Sequence, residues 1–255
     1  MPELRPVSVT VAGTPVSLLV RPATIDDYVV REVVKTYRIA DLVERFTSQP
    51  SVTIVDIGGH IGSFSVIMAT LLPQAVVHVF EPVAANFEMI QHNIRHAGLE
   101  RAIHATNAGI SGKHGFMALD DIGVSPDGRN TGGHAVMGPQ ASDAPPPDGR
   151  AFVELLPFGE ILDRLGRVDI LKIDCEGAEF EILYSLTPQQ LGRIDSMVGE
   201  IHNCDGFAGT RTAGHEWNAA TLKQYLGHHF QAITVDHRLE TETAVLETFY
   251  ATSPR

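Results

Sequence analysis

The stretch Val55-Asp56-Ile57-Gly58-Gly59-His60-Ile61-Gly62-Ser63 decides how the rest of the chain is read. An apolar run enters a pair of glycines and leaves as a helical pattern. Gly58 and Gly59 permit positive φ and let a ligand approach the backbone closely. The helix start near residues 61–62 points backbone N–H groups at an anionic group such as a carboxylate. A dinucleotide fingerprint counted from Gly58 would place glycine at positions 60 and 63, where His60 and Ser63 stand. That departure weakens a hydride-transfer reading.

Working outward, residues 51–57 form a short apolar strand, and residues 61–72 a helix with Ile61, Phe64, Met68 and Leu71 on one face. A second strand over 75–80 ends at Glu81-Pro82. Glu81 follows Gly62 by 19 residues, where an acidic side chain accepts hydrogen bonds from ribose hydroxyls in doubly wound folds. The order D-x-G-x-x-x-G followed by this acid is typical of S-adenosylmethionine (SAM) binding. Further along, a helix over 83–98 stops at Gly98, and strands are expected at 101–106, 168–173 and 196–201. Helices over 177–186 and 219–229 alternate with them. The last two runs, 231–235 and 244–252, have no helix-length connection and read as an antiparallel hairpin. Such alternation predicts a Rossmann-like α/β fold with a mostly parallel seven-stranded sheet closed by that hairpin. Residues 1–50 hold two strands, at 7–11 and 16–20, and a helical segment over 26–45. They read as an N-terminal cap on a domain spanning 51–255.

Two strand ends carry charges. Period-two alternation puts Lys172 and Asp174 on one face, and Glu200 and His202 on one face of the next strand. Charges at the end of a sheet covered on both faces are costly unless paired or functional. A structural ion pair of Lys172 with Asp174 or Glu176 is the plain alternative. If the two strands are neighbours, Asp174, Glu200 and His202 converge, with His202 as a general base. The same trio could hold a divalent metal through oxygen and imidazole donors, a minority reading that the spacing leaves open. Trp217 and Tyr225 read as packing before acceptor contacts, and Cys175 as a small buried residue.

These residues carry a family resemblance. DIGGHIGSFS (56–65) resembles the first motif of the FkbM family of SAM-dependent methyltransferases. Phe80-Glu81-Pro82 is similar to its FEP element, DILKIDCEGAE (169–179) to its most distinctive segment, and residues 21–27 to the stretch that often precedes the fold. His60 departs from the Asn common in the family. The resemblance spans roughly residues 20–250 and implies class I methyltransferase architecture and SAM as donor. It further implies methylation of a hydroxyl on a sugar or specialised metabolite, in natural product biosynthesis. The SAM contacts are then expected from Asp56, Gly58, Gly59, His60, Gly62, Ser63, Glu81, Pro82 and Asp174. Asn107 and Ala108 would lie beside the adenine. His202, Asp174, Lys172 and Glu200 are the expected catalytic group.

Composition bounds the alternatives. The chain has 255 residues, 44% hydrophobic and 20% charged, enough for one large domain with a sizeable core. Its formal net charge of -12 argues against nucleic acid as a partner. Apolar runs are too short to span a membrane, no secretory signal core is seen, and two cysteines make no disulfide scaffold. The expected setting is cytoplasmic and the expected partner a small-molecule acceptor, with homo-oligomer formation left open. Residues 121–150 hold six glycines and five prolines. They read as a long mobile loop that either closes over the ligands or lies far from them. Rival functions are a non-catalytic nucleotide-binding module and an NAD-linked oxidoreductase on a similar sheet.

Overall fold

The computed structural model describes residues 3–118, 142–145, 152–240 and 244–253. The glycine- and proline-rich stretch 121–150 lies outside the described residues apart from 142–145, where Ser142 bridges to Phe116.

The chain opens with an antiparallel hairpin, β1 (Arg5–Val11) and β2 (Thr14–Val20), followed by α1 (Asp26–Thr36) and α2 (Ile39–Phe46). The sequence predicts one helical segment over 26–45, but the structure breaks it. Arg38 adopts a left-handed φ of 46°, and its guanidinium pairs with Asp236 far along the chain. The break turns Tyr37 inward, where it is buried.

Next come β3 (Val52–Ile57), α3 (Ser63–Leu71), β4 (Ala75–Phe80), α4 (Ala84–Ala97) and β5 (Ile103–Thr106). Gly98 ends α4 in the left-handed conformation that glycine adopts without steric cost, as its position predicts. Then β6 (Gly109–Ser111), β7 (Gly115–Ala118) and β8 (Phe152–Pro157) form a separate three-stranded sheet that the sequence reading missed. The second half contains α5 (Phe158–Leu165), β9 (Val168–Ile173), α6 (Glu179–Tyr184), α7 (Pro188–Leu191) and β10 (Ile194–Cys204). A two-stranded ribbon, β11 (Arg211–Thr212) and β12 (His215–Glu216), precedes α8 (Ala219–Leu226). The chain closes with β13 (Ala232–Glu240) and β14 (Ala244–Thr252).

Seven strands form the main sheet in the order β13-β14-β10-β9-β3-β4-β5. Neighbours from β10 to β5 are parallel, while β14 runs antiparallel to both β10 and β13. The expected Rossmann-like sheet with its closing hairpin is therefore present. Among the parallel strands, chain order runs outward from β3 to β4 and β5 in one direction and from β9 to β10 in the other, so a crevice opens between the carboxyl ends of β3 and β9.

Residue parity divides the core. Val52, Ile54, Ile170 and Val198 face α1–α4 and join one cluster with Leu18, Val30, Phe46 and Phe64. Val55, Ile57, Leu171 and Ile173 face the other way, against Phe158, Phe180 and Leu222. Each such side chain contributes about 1.5–3 kcal/mol by leaving water. On the first face the pattern changes toward the carboxyl ends, where Asp56, Lys172, Glu200 and His202 replace the apolar residues. The N-terminal hairpin and helices share this core, and Asn93 of α4 exchanges hydrogen bonds with Leu19 of β2. Among the described residues, no helix is long and apolar enough to cross a membrane.

Candidate active site

Lys172 organises the crevice from below. Its buried Nζ donates to the carbonyls of Gly58 (2.6 Å) and Ile57 (3.3 Å) and lies 3.4 Å from Asp56 and 3.7 Å from Asp174. Burial pulls its pKa down, but Asp56 and Asp174 outweigh this and hold it above the ordinary lysine value. The ammonium thus fastens the glycine turn to β9. Gly58 has φ +79°, and a Cβ there would fall 1.9 Å from the Asp174 carbonyl oxygen, so only glycine fits. Asp56 accepts from Ser65 at 2.7 Å and is wholly buried.

A cavity of about 440 Å³ lies over this turn, within the range of small-molecule pockets. Of the expected donor-binding residues, Gly58, Gly59, His60, Ser63, Glu81, Pro82, Ala108 and Asp174 line it. Asp56, Gly62 and Asn107 do not. Asp56 is spent on Lys172 and Ser65. The Gly62 N–H closes the turn onto the Gly59 carbonyl at 2.7 Å. Asn107 donates to the carbonyls of Glu81 and Pro82, bracing the end of β4. The N–H groups of Gly58 and Gly59 both donate to the Phe80 carbonyl, so this turn ties β3 to β4.

Glu81 is oriented by the backbone. Its carboxylate accepts from the N–H groups of His60 (2.8 Å) and Val83 (2.9 Å). Burial nevertheless pushes its pKa up to about 7. Burial also pulls His60 down to about 4, so its ring is neutral. Ser63 Oγ is buried in the cavity wall with no hydrogen-bond partner among the described residues. An orphaned hydroxyl at a helix start, beside a carboxylate with further lone pairs, fits the amino-acid and ribose ends of SAM.

The other end of the cavity is acidic. His202 Nδ1 donates to Glu179 at 2.9 Å, and Nε2 lies 3.4 Å from Glu176, 3.8 Å from Glu200 and 3.9 Å from Asp174. Buried Glu179 also accepts from the N–H groups of Cys175 and Gly177. It thereby folds the turn after β9 back on itself, with Glu176 at a left-handed φ of 55°. Burial lowers the His202 pKa, yet Glu179 and the other carboxylates carry it well above the ordinary histidine value. These carboxylates favour the protonated ring, the form with no lone pair for an incoming proton. Burial, then Asp174, raises Glu200 to about 8, and burial raises Glu176 to about 7. Burial opposes ionisation of Asp174 as well, but Lys172 and His202 hold it below the usual carboxylate range. Asp174, Glu200 and His202 place one donor atom each within 4.8 Å of one another, close enough to share a divalent cation.

Tyr37 escaped the sequence reading. Its hydroxyl donates to Asp174 (2.7 Å) and lies 3.4 Å from Glu200. Only an aromatic residue at a helix break marked it, and its partners are more than a hundred residues away. Trp217 stacks on Phe180 at 5.7 Å and is buried, so it packs the core and does not line the cavity. Tyr225 likewise packs against Tyr184.

Comparison with known proteins agrees with this geometry. A family model described as the methyltransferase FkbM domain matches residues 56–230. "Methyltransferase 1" of Beauveria bassiana is 29% identical over 171 residues, covering 62% of this chain and 68% of that protein. The 31-O-demethyl-FK506 methyltransferase FkbM of Streptomyces tacrolimicus is 26% identical over 181 residues, covering 63% and 69%. The N-terminal domain of EvdMO1, crystallised with S-adenosylhomocysteine (SAH) and D-fucose, shares the fold with a TM-score of 0.50. It is 11% identical, with 92% of this chain and 100% of that one covered. The glycine turn, the acid closing β4 and the DILKIDCEGAE edge all fall inside the matched segment, and the chain belongs to the FkbM family of methyltransferases, whose methyl donor is SAM.

Proposed function

We propose that the chain methylates a hydroxyl oxygen of a small molecule, a sugar or a specialised metabolite. The observation that carries this reading is one continuous cavity joining the glycine turn to the carboxylates beside His202. SAM, when bound, supplies an electrophilic methyl group on a sulfonium centre. Ser63, Glu81 and Ala108 hold the donor, while Gly58 and Gly59 let the turn pack against Asp174 and Val79 beneath it. Lys172 and Tyr37 fix the Asp174 carboxylate between the two ends of the cavity. His202 lies between Glu176 and Glu200 and keeps them close together. The acceptor proton passes to Glu200, whose raised pKa makes its ionised form a stronger base than an ordinary carboxylate. Alignment of acceptor oxygen, methyl and sulfur supplies much of the rate gain.

Incubation with SAM and a panel of sugars and natural-product alcohols tests this. The expected result is SAH formation with a mass gain of one methylene unit on oxygen. SAH binding without turnover across the panel, or methylation at nitrogen or carbon alone, would count against it.

A further inference from the structure

The half of the cavity away from the glycine turn is walled by segments outside the matched residues 56–230. Tyr28, Val29 and Glu32 of α1 form one side, and Leu239 and Leu246 of the closing hairpin form the other. Leu239 pairs across the hairpin with Leu246, which pairs in turn with His202. The apolar row therefore leads directly from the rim to the charged floor. Tyr28 is 64% exposed and Leu239 50%, although large apolar side chains more often lie inside. Both stand at this mouth.

Acidic groups outnumber cations on the described floor. Glu32, Asp174, Glu176 and Glu200 face this half of the cavity. Tyr28 donates its hydroxyl to Glu32 at 2.9 Å, which holds that carboxylate at the wall. Among the described residues two cations line the cavity, and both are committed. Lys172 donates to the Gly58 and Ile57 carbonyls beneath the turn, and His202 is surrounded by carboxylates. Among the described residues no arginine lines the cavity. A phosphate or carboxylate on the acceptor would meet these acidic groups with no uncommitted cation among the described lining residues to receive it, and like-charge juxtaposition disfavours partners strongly.

We propose that the acceptor is an amphiphilic alcohol, neutral or also carrying an amino group, whose apolar body lies between Tyr28 and the Leu239–Leu246 pair, and that the site rejects phosphorylated and carboxylated acceptors. This rests on the methyltransferase reading and adds that the N-terminal cap, through Glu32, selects the acceptor class.

Calorimetry on the SAH-loaded chain tests it with three probes that share one apolar body: octyl glucoside, octylamine and octyl phosphate. The first two should bind at least about tenfold more tightly than octyl phosphate. Glu32→Lys should narrow that gap, and the isosteric Glu32→Gln should narrow it less. Leu239→Asp should weaken octyl glucoside, and all three variants should keep SAH affinity. Octyl phosphate binding as tightly as the others overturns the assignment, as does no binding of octyl glucoside or octylamine while SAH affinity is intact. Failure of the unsubstituted chain to bind SAH would strike the methyltransferase reading itself, a distinct result.

Discussion

The two halves of the cavity are built in opposite ways. The donor half is mostly local: residues 57–63 and 80–83 supply its glycine turn and its acid, and its key bonds run through the backbone, as from His60 and Val83 to Glu81. The acceptor half is assembled from afar by side chains. Tyr37 reaches Asp174 across 137 positions and Glu200 across 163, and Arg38 reaches Asp236 across 198. Backbone geometry repeats wherever the motif recurs, whereas side-chain walls vary with every substitution. The family match covers the first half and omits the walls of the second. Membership therefore speaks to the donor and the charged floor, and on the proposed reading the cap and hairpin select the acceptor.

The sharpest way to break this contrast is at Lys172, which both halves share. Lys172→Met keeps the bulk of the side chain but leaves Asp56 and Asp174 without their cation, and Asp56 is fully buried. Removing one partner of a buried pair costs about 3–5 kcal/mol. Urea unfolding should show a loss of that size. A loss under about 1 kcal/mol would mean that the charges are solvated and that the strut is dispensable.

The same contrast explains what could be read from sequence. Strand and helix order, Gly98 as a stop, and the shared faces of Lys172 with Asp174 and Glu200 with His202 follow from periodicity and local chemistry. Parity also brings Asp174, Glu200 and His202 together once β9 and β10 are neighbours. The three-stranded sheet of β6, β7 and β8 was invisible because two of its strands have only three or four residues, too short to alternate. Tyr37 was invisible because its meaning depends on where the helix breaks, and that break is fixed by a partner in the hairpin. Glu179 lay in plain view within a quoted motif. Its task, clamping a turn while holding His202, exists only in three dimensions. The electrostatics of His202 likewise depend on four carboxylates drawn from one strand, the turn after β9 and the start of a helix.

A second, smaller effect isolates the donor half. Glu81→Ala should weaken SAH binding by about 1.5–3 kcal/mol, the range for hydrogen bonds to a charged group. Calorimetry checks it, and an unchanged dissociation constant in a folded variant would remove Glu81 from the ribose contacts. The same residue predicts a pH trend. Burial lifts its pKa from the ordinary 4.5 to about 7 in the folded chain. A raised folded-state value means that the unfolded chain releases the proton first as pH rises. The stability that Glu81 contributes is thus full below pH 4.5 and is lost as pH climbs through about 7. The fall in melting temperature between pH 5 and 8 should be shallower in Glu81→Gln. An identical slope would assign the trend to other groups.

The smallest expected effect sharpens the comparison from the acceptor side. Arg38 joins the cap to the hairpin through Asp236, and its guanidinium sits 5.3 Å from the Tyr250 ring centroid. Both members of the ion pair remain partly exposed, so the pair is worth at most about 1 kcal/mol. Arg38 also holds a left-handed backbone, which disfavours residues with a Cβ by about 1–2 kcal/mol. The two contributions oppose each other, and two substitutions separate them. Arg38→Ala loses the pair and keeps the strain, so it should destabilise by about 1 kcal/mol. Arg38→Gly loses the pair but relieves the strain, and should come out near neutral. Chemical denaturation of both variants gives the difference directly. Equal losses would mean that the pair alone fixes the helix break. SAH affinity should stay unchanged in either variant, because none of the donor contacts passes through the cap–hairpin seam. A shift in that affinity would show that the two halves of the cavity are mechanically joined there, and that the acceptor walls help to shape the donor site.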